Sequence, residues 1–329
     1  MDNPEVFLKA RASTLRGERV YTPAMNVAGQ VLVLFLLIVI GYAARKFKTI
    51  DDGAVSHFTA FVLNLSLPAL ILASLQRPFS RELLGEAGTV LALAFGVYAV
   101  SFAFAAVYPA LIRPARKARG VHRYAVIFSN VGFMGFPVVE AVLGKEALFY
   151  LAIFNIPFNL LAFSIGAWLI ARDGERPVSL SWRTFVNPSV VAVAIGFFCF
   201  LFSVRYPEPL LRVLKMTGDI TSPLSMIVIG AILARMDPRN VLGRWRNYVT
   251  TAVRLLLLPA LSFVAMRALG LTGALRVLPT LVVAMPIAAN TTILADVYGG
   301  DTENASSLVF LSTLACVVTI PVVVAIVGV

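Results

Sequence analysis

Apolar stretches of about 20 residues recur from Met25 to Val329 with only short polar joints between them, and this pattern leaves few folds open. In lipid every backbone N–H and C=O must find a partner inside the protein, so such runs fold as membrane-spanning helices. Reading for them gives ten candidate spans, at 25–44, 54–75, 88–112, 122–142, 147–171, 184–203, 210–234, 248–269, 277–297 and 304–328. The expected class is an all-α polytopic membrane protein with no room for a separate soluble domain. Composition agrees: 59% of the 329 residues are hydrophobic and 14% charged. The 28 Lys and Arg lie between the runs instead of forming a patch, which excludes a nucleic-acid module. Cys199 and Cys316 fall inside apolar runs, as buried thiols do, and neither a metal site nor a cofactor is expected.

Lys and Arg resist translocation, so their distribution over alternate loops orients the chain. One set of loops carries fifteen, in the groups Arg45 to Lys48, Arg113 to Arg123, Arg172 to Arg183 and Arg235 to Arg246. The other carries eight: Arg77, Arg81, Lys145, Arg205, Arg212, Lys215, Arg267 and Arg276. Both termini are therefore expected outside. Trp168, Trp182 and Trp245 fall at the inner boundary, as interfacial anchors do. Residues 1–24 lack the apolar core of a signal peptide and read as a polar tail.

Prolines within spans repeat. Pro68 and Pro223, Pro109 and Pro259, and Pro137 and Pro286 stand 155, 150 and 149 residues apart. Two successive five-span units, 25–171 and 184–329 joined by a cytoplasmic linker at 172–183, would enter the membrane in opposite senses. That is the inverted-repeat plan of many secondary transporters. The alternative is that proline is simply common in membrane helices.

Span four places Asn130, Gly132, Gly135 and Pro137 around its centre, so residues 132–137 are expected to unwind ahead of a second half-helix. Span nine places Pro286, Asn290, Thr291 and Thr292 at the same depth. Two half-helix N-termini arriving from opposite sides would offer unpaired N–H groups and positive partial charge to an anion. The asparagines would add neutral donors without the cost of a buried charge. The rival reading is a pair of proline kinks packed against small residues. Asn155 and Asn159, one turn apart around Pro157, are further candidates for the substrate site. Asn64 and Ser66 of span two, with Thr221 and Ser222 of span seven, either line the cavity or bond between helices.

Charge inside a membrane is a functional candidate by default. Glu140, Asp219 and Asp296 are candidates for ion coupling by H+ or Na+, although Glu140 and Asp296 lie near span ends that water reaches. Arg254 and Asp219 lie deeper, where each could pair or snorkel, and the sequence does not name their partners.

The stretches NVGFMGFP (130–137), MPIAANTTILADVYGGD (285–301) and ASSLVFLST with its following TIP (305–321) resemble the auxin efflux carrier family, from bacterial malonate-transporter-like proteins to the plant PIN-type carriers. The resemblance spans Met25 to Val329. It implies ten helices in two inverted repeats, with spans four and nine crossing at their broken centres. It also implies a scaffold of spans one, two, six and seven, a moving domain from the rest, elevator-type exchange, a homodimer, and residence in a bacterial inner membrane. The family's span-four asparagine falls on Asn130, and its crossover prolines fall on Pro137 and Pro286.

The leading function is a carrier for a small organic anion. A bile-acid-type or metalloid carrier of the same architecture is the second reading, and the isolated cysteines weaken its metalloid form. An intramembrane enzyme would need catalytic groups at depth and a channel a charged or carbonyl-lined ring; neither pattern is legible.

Overall fold

The computed structural model describes residues 24–177, 187–235 and 243–328. The tail at 1–23 and residues 178–186 of the expected linker region lie outside the described residues, as does Trp182. The described chain forms twelve helices. These are α1 (Ala24–Lys46), α2 (Asp52–Ser74), α3 (Arg81–Ile112), α4 (Arg116–Ile127), α5 (Val131–Leu143) and α6 (Ala147–Asp173), then α7 (Pro188–Leu201), α8 (Glu208–Leu233), α9 (Trp245–Ala268), α10 (Gly273–Ala284), α11 (Asn290–Tyr298) and α12 (Thr302–Val327). Seven of them are long and apolar enough to cross a membrane. Three shorter apolar helices, α5, α7 and α10, accompany them.

Sequence signals set the helix starts. Oδ1 of Asp51 accepts from Ala54 N–H at 2.7 Å ahead of α2, Ser80 caps α3 through Leu83 N–H at 3.0 Å, and Asn187 caps α7 through Val190 N–H at 3.0 Å. Pro188 follows at the first helical position, where its missing N–H costs nothing.

Prolines inside the bundle do less breaking than their chemistry suggests. Pro68, Pro137 and Pro259 each come two residues after a five-residue π-turn, at Val62–Ser66, Val131–Gly135 and Val253–Leu257. The extra residue of a wide turn accommodates the proline ring, so the helix continues. Pro109 and Pro157 lie within helices that run through them.

Close approach of backbones organises the packing. A Cβ on Gly41 of α1 would lie 2.0 Å from the Ile227 carbonyl oxygen, and one on Gly230 of α8 would lie 1.9 Å from that of Ile38. α1 and α8 therefore meet backbone to backbone through small residues, as helices in membranes do. A second core lies between α3, α4 and α6, where Phe128 contacts the rings of Tyr98, Phe102, Tyr124 and Phe158. Large apolar side chains point outward from α1, α3, α7 and α12, among them Val39, Leu111, Phe198 and Val318. Such a surface suits lipid and not water.

Candidate functional site

The helical chain is interrupted twice, each time next to a segment rich in Asn, Gly, Pro or Thr, and the interruptions touch. The first covers residues 128–130, between α4 and α5, which is upstream of the expected 132–137; Gly132 and Gly135 lie in the π-turn that opens α5. The second covers 285–289, between α10 and α11. Ser129 and Ile287 form an antiparallel bridge, with Asn130 N–H donating to Pro286 O at 2.8 Å and Ala288 N–H to Phe128 O at 3.1 Å. Ile287 N–H donates to Oγ of Ser312 at 3.1 Å. Each break satisfies the other's backbone groups, which is what allows irregular chain in the interior of a membrane protein.

The helices that follow begin at this crossing. Asn130 caps α5, its Oδ1 accepting from Phe133 N–H at 3.3 Å, and α11 starts at Asn290. Beside them lies a cavity of about 170 Å³ whose polar lining is six asparagines, Asn64, Asn130, Asn155, Asn159, Asn187 and Asn290, with Ser189. Gly132, Phe133, Phe158, Phe163, Ala288 and Ala289 complete much of the wall, and among the described residues no charged side chain is part of it.

The asparagines are linked. Nδ2 of Asn159 donates to the Asn155 carbonyl at 2.9 Å, and Nδ2 of Asn187 donates to Oδ1 of Asn159 at 3.0 Å. Oδ1 of Asn155 is buried and has no partner among the described residues. That oxygen is an acceptor, open to a water or to a donor group of a bound molecule.

Asn130, Gly132, Asn155, Asn159, Asn290 and Asn64 thus come together as candidates. Gly135, Pro137, Pro286 and Thr291 shape the crossing without lining this cavity, Thr291 turning its Oγ1 to the Ala288 carbonyl at 2.6 Å. Ser66, Thr221 and Ser222 do not reach it either; the first two are fully buried elsewhere. Asn187 was not among the residues singled out from the sequence. Its Asn-Pro signature marks a helix start, and only the fold shows that the cap also faces the cavity.

The acidic candidates lie apart from the cavity. Oε2 of Glu140 accepts from Ser222 Oγ at 2.8 Å, and Nζ of Lys145 bonds Oδ1 of Asp219 at 2.6 Å and lies 3.9 Å from Glu140. The hydrogen bond that Lys145 donates to Asp219 raises the Lys145 pKa above its ordinary value. At the same end Arg77 meets Glu146 at 3.3 Å. Asp296 is exposed, and its carbonyl accepts from Arg176 at 3.3 Å. Arg254 does not pair with Asp219: its guanidinium donates to Val126 O at 2.8 Å and, at 3.4 Å each, to Ile127 O and Met285 O.

An all-helical chain with an uncharged polar cavity where two broken helices meet has the form of a membrane transport protein. The sequence belongs to the membrane transport protein family (Mem_trans), matching it over residues 26–179 and 177–324. It is similar to the "Putative malonate transporter" of Rhizobium meliloti (strain 1021), with 24% identity over 303 residues, covering 90% of this chain and 94% of that one. An "Uncharacterized transporter" of Methanothermobacter thermautotrophicus is also 24% identical, over 90% of this chain and 97% of its own. "Uncharacterized transporter YfdV" of Escherichia coli (strain K12) is 23% identical, over 89% and 95% respectively. Family and relatives are transporters, not enzymes.

Proposed function

We propose that the chain carries a small organic anion across a bacterial inner membrane by alternating access, with the carboxylate held in the asparagine cavity at the crossing. The observation that carries this reading is the mutual bonding of the two breaks, Asn130 N–H to Pro286 O, beside two helix N-termini and a cavity wall of neutral asparagines. Helix N-termini favour negative charge, and neutral amides add donors without a fixed charge that would hold the substrate too long. The chemistry favours small carboxylates, and the relative named for malonate makes that dianion the first probe.

In this reading the ten spans form two inverted five-helix repeats, with α4 and α5 as span four and α10 with α11 as span nine. α1, α2, α7 and α8 are the scaffold and the remaining helices the elevator, in a homodimer with both termini outside. Trp168 and Trp245, each beside an arginine, at 5.4 Å from Arg172 and 5.0 Å from Arg246, fit anchors at the inner surface. The contacts of Lys145 with Asp219, Glu140 with Ser222 and Arg77 with Glu146 would then join elevator to scaffold on the outer side. Asp219 ends the 12-residue first part of α8, a length of about 18 Å, so Lys145 docks well below the outer start of that helix. Together with a cavity reaching Asn187 at the inner start of α7, this supports an inward-facing state.

Thermal unfolding of the purified full chain against mono- and dicarboxylates tests the reading. A ligand at 100 times its Kd adds about 2.7 kcal/mol of apparent stability. Malonate or a similar acid should raise the unfolding temperature of wild type, and Asn130→Ala should abolish that response while remaining folded. Absence of any carboxylate response, or a full response in Asn130→Ala, would overturn the proposal.

A further inference from the structure

Arg254 is 1% exposed in the middle of α9, and the hydrogen bonds of its guanidinium go to backbone carbonyls. A guanidinium does not shed its proton, so a full positive charge sits in the interior of a membrane protein. Such a charge persists only where the surroundings balance it. The carbonyls it holds are no random set. Val126 and Ile127 close α4, and Met285 follows the last residue of α10, so Arg254 grips the C-terminal ends of both half-helices that run into the crossing.

Each helix C-terminus carries about half a unit of negative charge, and two of them together match one guanidinium. The four half-helix ends at the crossing are thereby sorted. The two positive ends, at α5 and α11, lie beside the asparagine cavity, and the two negative ends are covered by Arg254, which is not part of that cavity's wall. In carriers with interrupted helices, half-helix C-termini and unwound carbonyls are where a coupling Na+ binds.

We propose that Arg254 is a resident cation that occupies the carbonyl ends a mobile coupling cation would otherwise take, so that the protein folds, binds its anion and cycles without Na+. No cation then needs to enter with the substrate. The statement about coupling rests on the carrier reading above, whereas the balance of charge at the crossing does not.

The test measures unfolding of the ligand-free full-length protein in Na+, Li+, K+ or N-methylglucamine chloride at equal ionic strength, and then repeats each with malonate. Wild type and Arg254→Lys should unfold at the same temperature in every salt. Arg254→Gln should unfold several degrees lower in N-methylglucamine and recover in a saturable way with Na+ or Li+, as a small cation fills the vacated carbonyl ends. A saturable Na+ stabilisation of wild type, or an Arg254→Gln variant that folds and ignores the cation, overturns the proposal. If Arg254→Gln is not recovered folded, wild type and Arg254→Lys decide: flat responses in both sustain the assignment, and Na+ stabilisation of either ends it. A malonate response that requires Na+ in wild type overturns the resident-cation assignment alone. Absence of any anion response alongside the expected cation pattern overturns the carrier reading alone.

Discussion

Asn187 donates its side-chain amide to Oδ1 of Asn159 at 3.0 Å while its own Oδ1 caps the first turn of α7. One residue thus starts a helix and completes a cavity wall, and substitution separates the two tasks. Asn187→Asp keeps the cap, since aspartate caps as well as asparagine, but replaces a donor by a negative charge facing the proposed anion. The carboxylate then faces Oδ1 of Asn159 with no proton between them, so the ligand-free unfolding temperature should fall through that lost bond alone, while the malonate response disappears. Asn187→Ala loses the cap at about 1 kcal/mol and should weaken malonate by about tenfold, the scale of one lost bond to a charged group. Thermal unfolding with and without malonate reads both; a full malonate response in Asn187→Asp would remove this residue from the site.

The α1 and α8 contact predicts a different outcome, in stability alone. Alanine at Gly41 or Gly230 must push apart backbones that a Cβ would approach to 2.0 or 1.9 Å. Overpacking of this kind costs about 1–3 kcal/mol. Gly88 of α3 has nothing within 4 Å of a built Cβ, so Gly88→Ala should match or slightly exceed wild type. Unfolding temperatures of the three variants in one lipid–detergent mixture check the contrast, and equal values would show that α1 and α8 can separate at no cost.

The apolar helical class was legible because hydropathy alone decides which segments can lie in lipid, and seven of the helices are long and apolar enough to cross a membrane. The first break was legible only in part. Pro137 and the glycines marked the right segment, but they are absorbed by a π-turn, and the chain actually opens at Phe128, Ser129 and Asn130, where no glycine or proline occurs. That opening is set by two hydrogen bonds to the other break, from Asn130 N–H to Pro286 O and from Ala288 N–H to Phe128 O. Their cause is tertiary and leaves no local trace. The partners of Arg254 were hidden for a related reason, since backbone carbonyls have no signature in a sequence.

Among the described residues Lys145 is the base that meets both Asp219 and Glu140, and the proposed outer closure depends on it. Its side chain is 65% exposed, so the pair contributes no more than about 1 kcal/mol, enough to move a conformational equilibrium but not to unfold the chain. Lys145→Glu should replace attraction by repulsion and raise the outward-facing population about two- to tenfold, whereas Lys145→Arg should leave it unchanged. Spin labels on Leu269→Cys and Val213→Cys, both at exposed positions, report the distance between the proposed elevator and scaffold. The native Cys199 and Cys316 are buried and do not compete for label. An identical distance distribution in Lys145→Glu and wild type would show that this contact does not hold the two parts together.

The same contact sets a pH dependence whose sign follows from its chemistry. Asp219 accepts a hydrogen bond from Lys145 and raises the lysine pKa above its ordinary 10.5. A group whose pKa is raised on docking contributes fully below its free value and loses that contribution as pH climbs through the docked one. From neutral pH up to the ordinary lysine value, the closure therefore keeps its lysine contribution; above that, the outward-facing distance population should grow. Lys145→Arg should remove this alkaline limb, because a guanidinium stays protonated there. High salt should weaken the closure at every pH, since the pair is exposed and screened. Growth of the outward population on alkalinisation in Lys145→Arg as large as in wild type would assign the effect to another group.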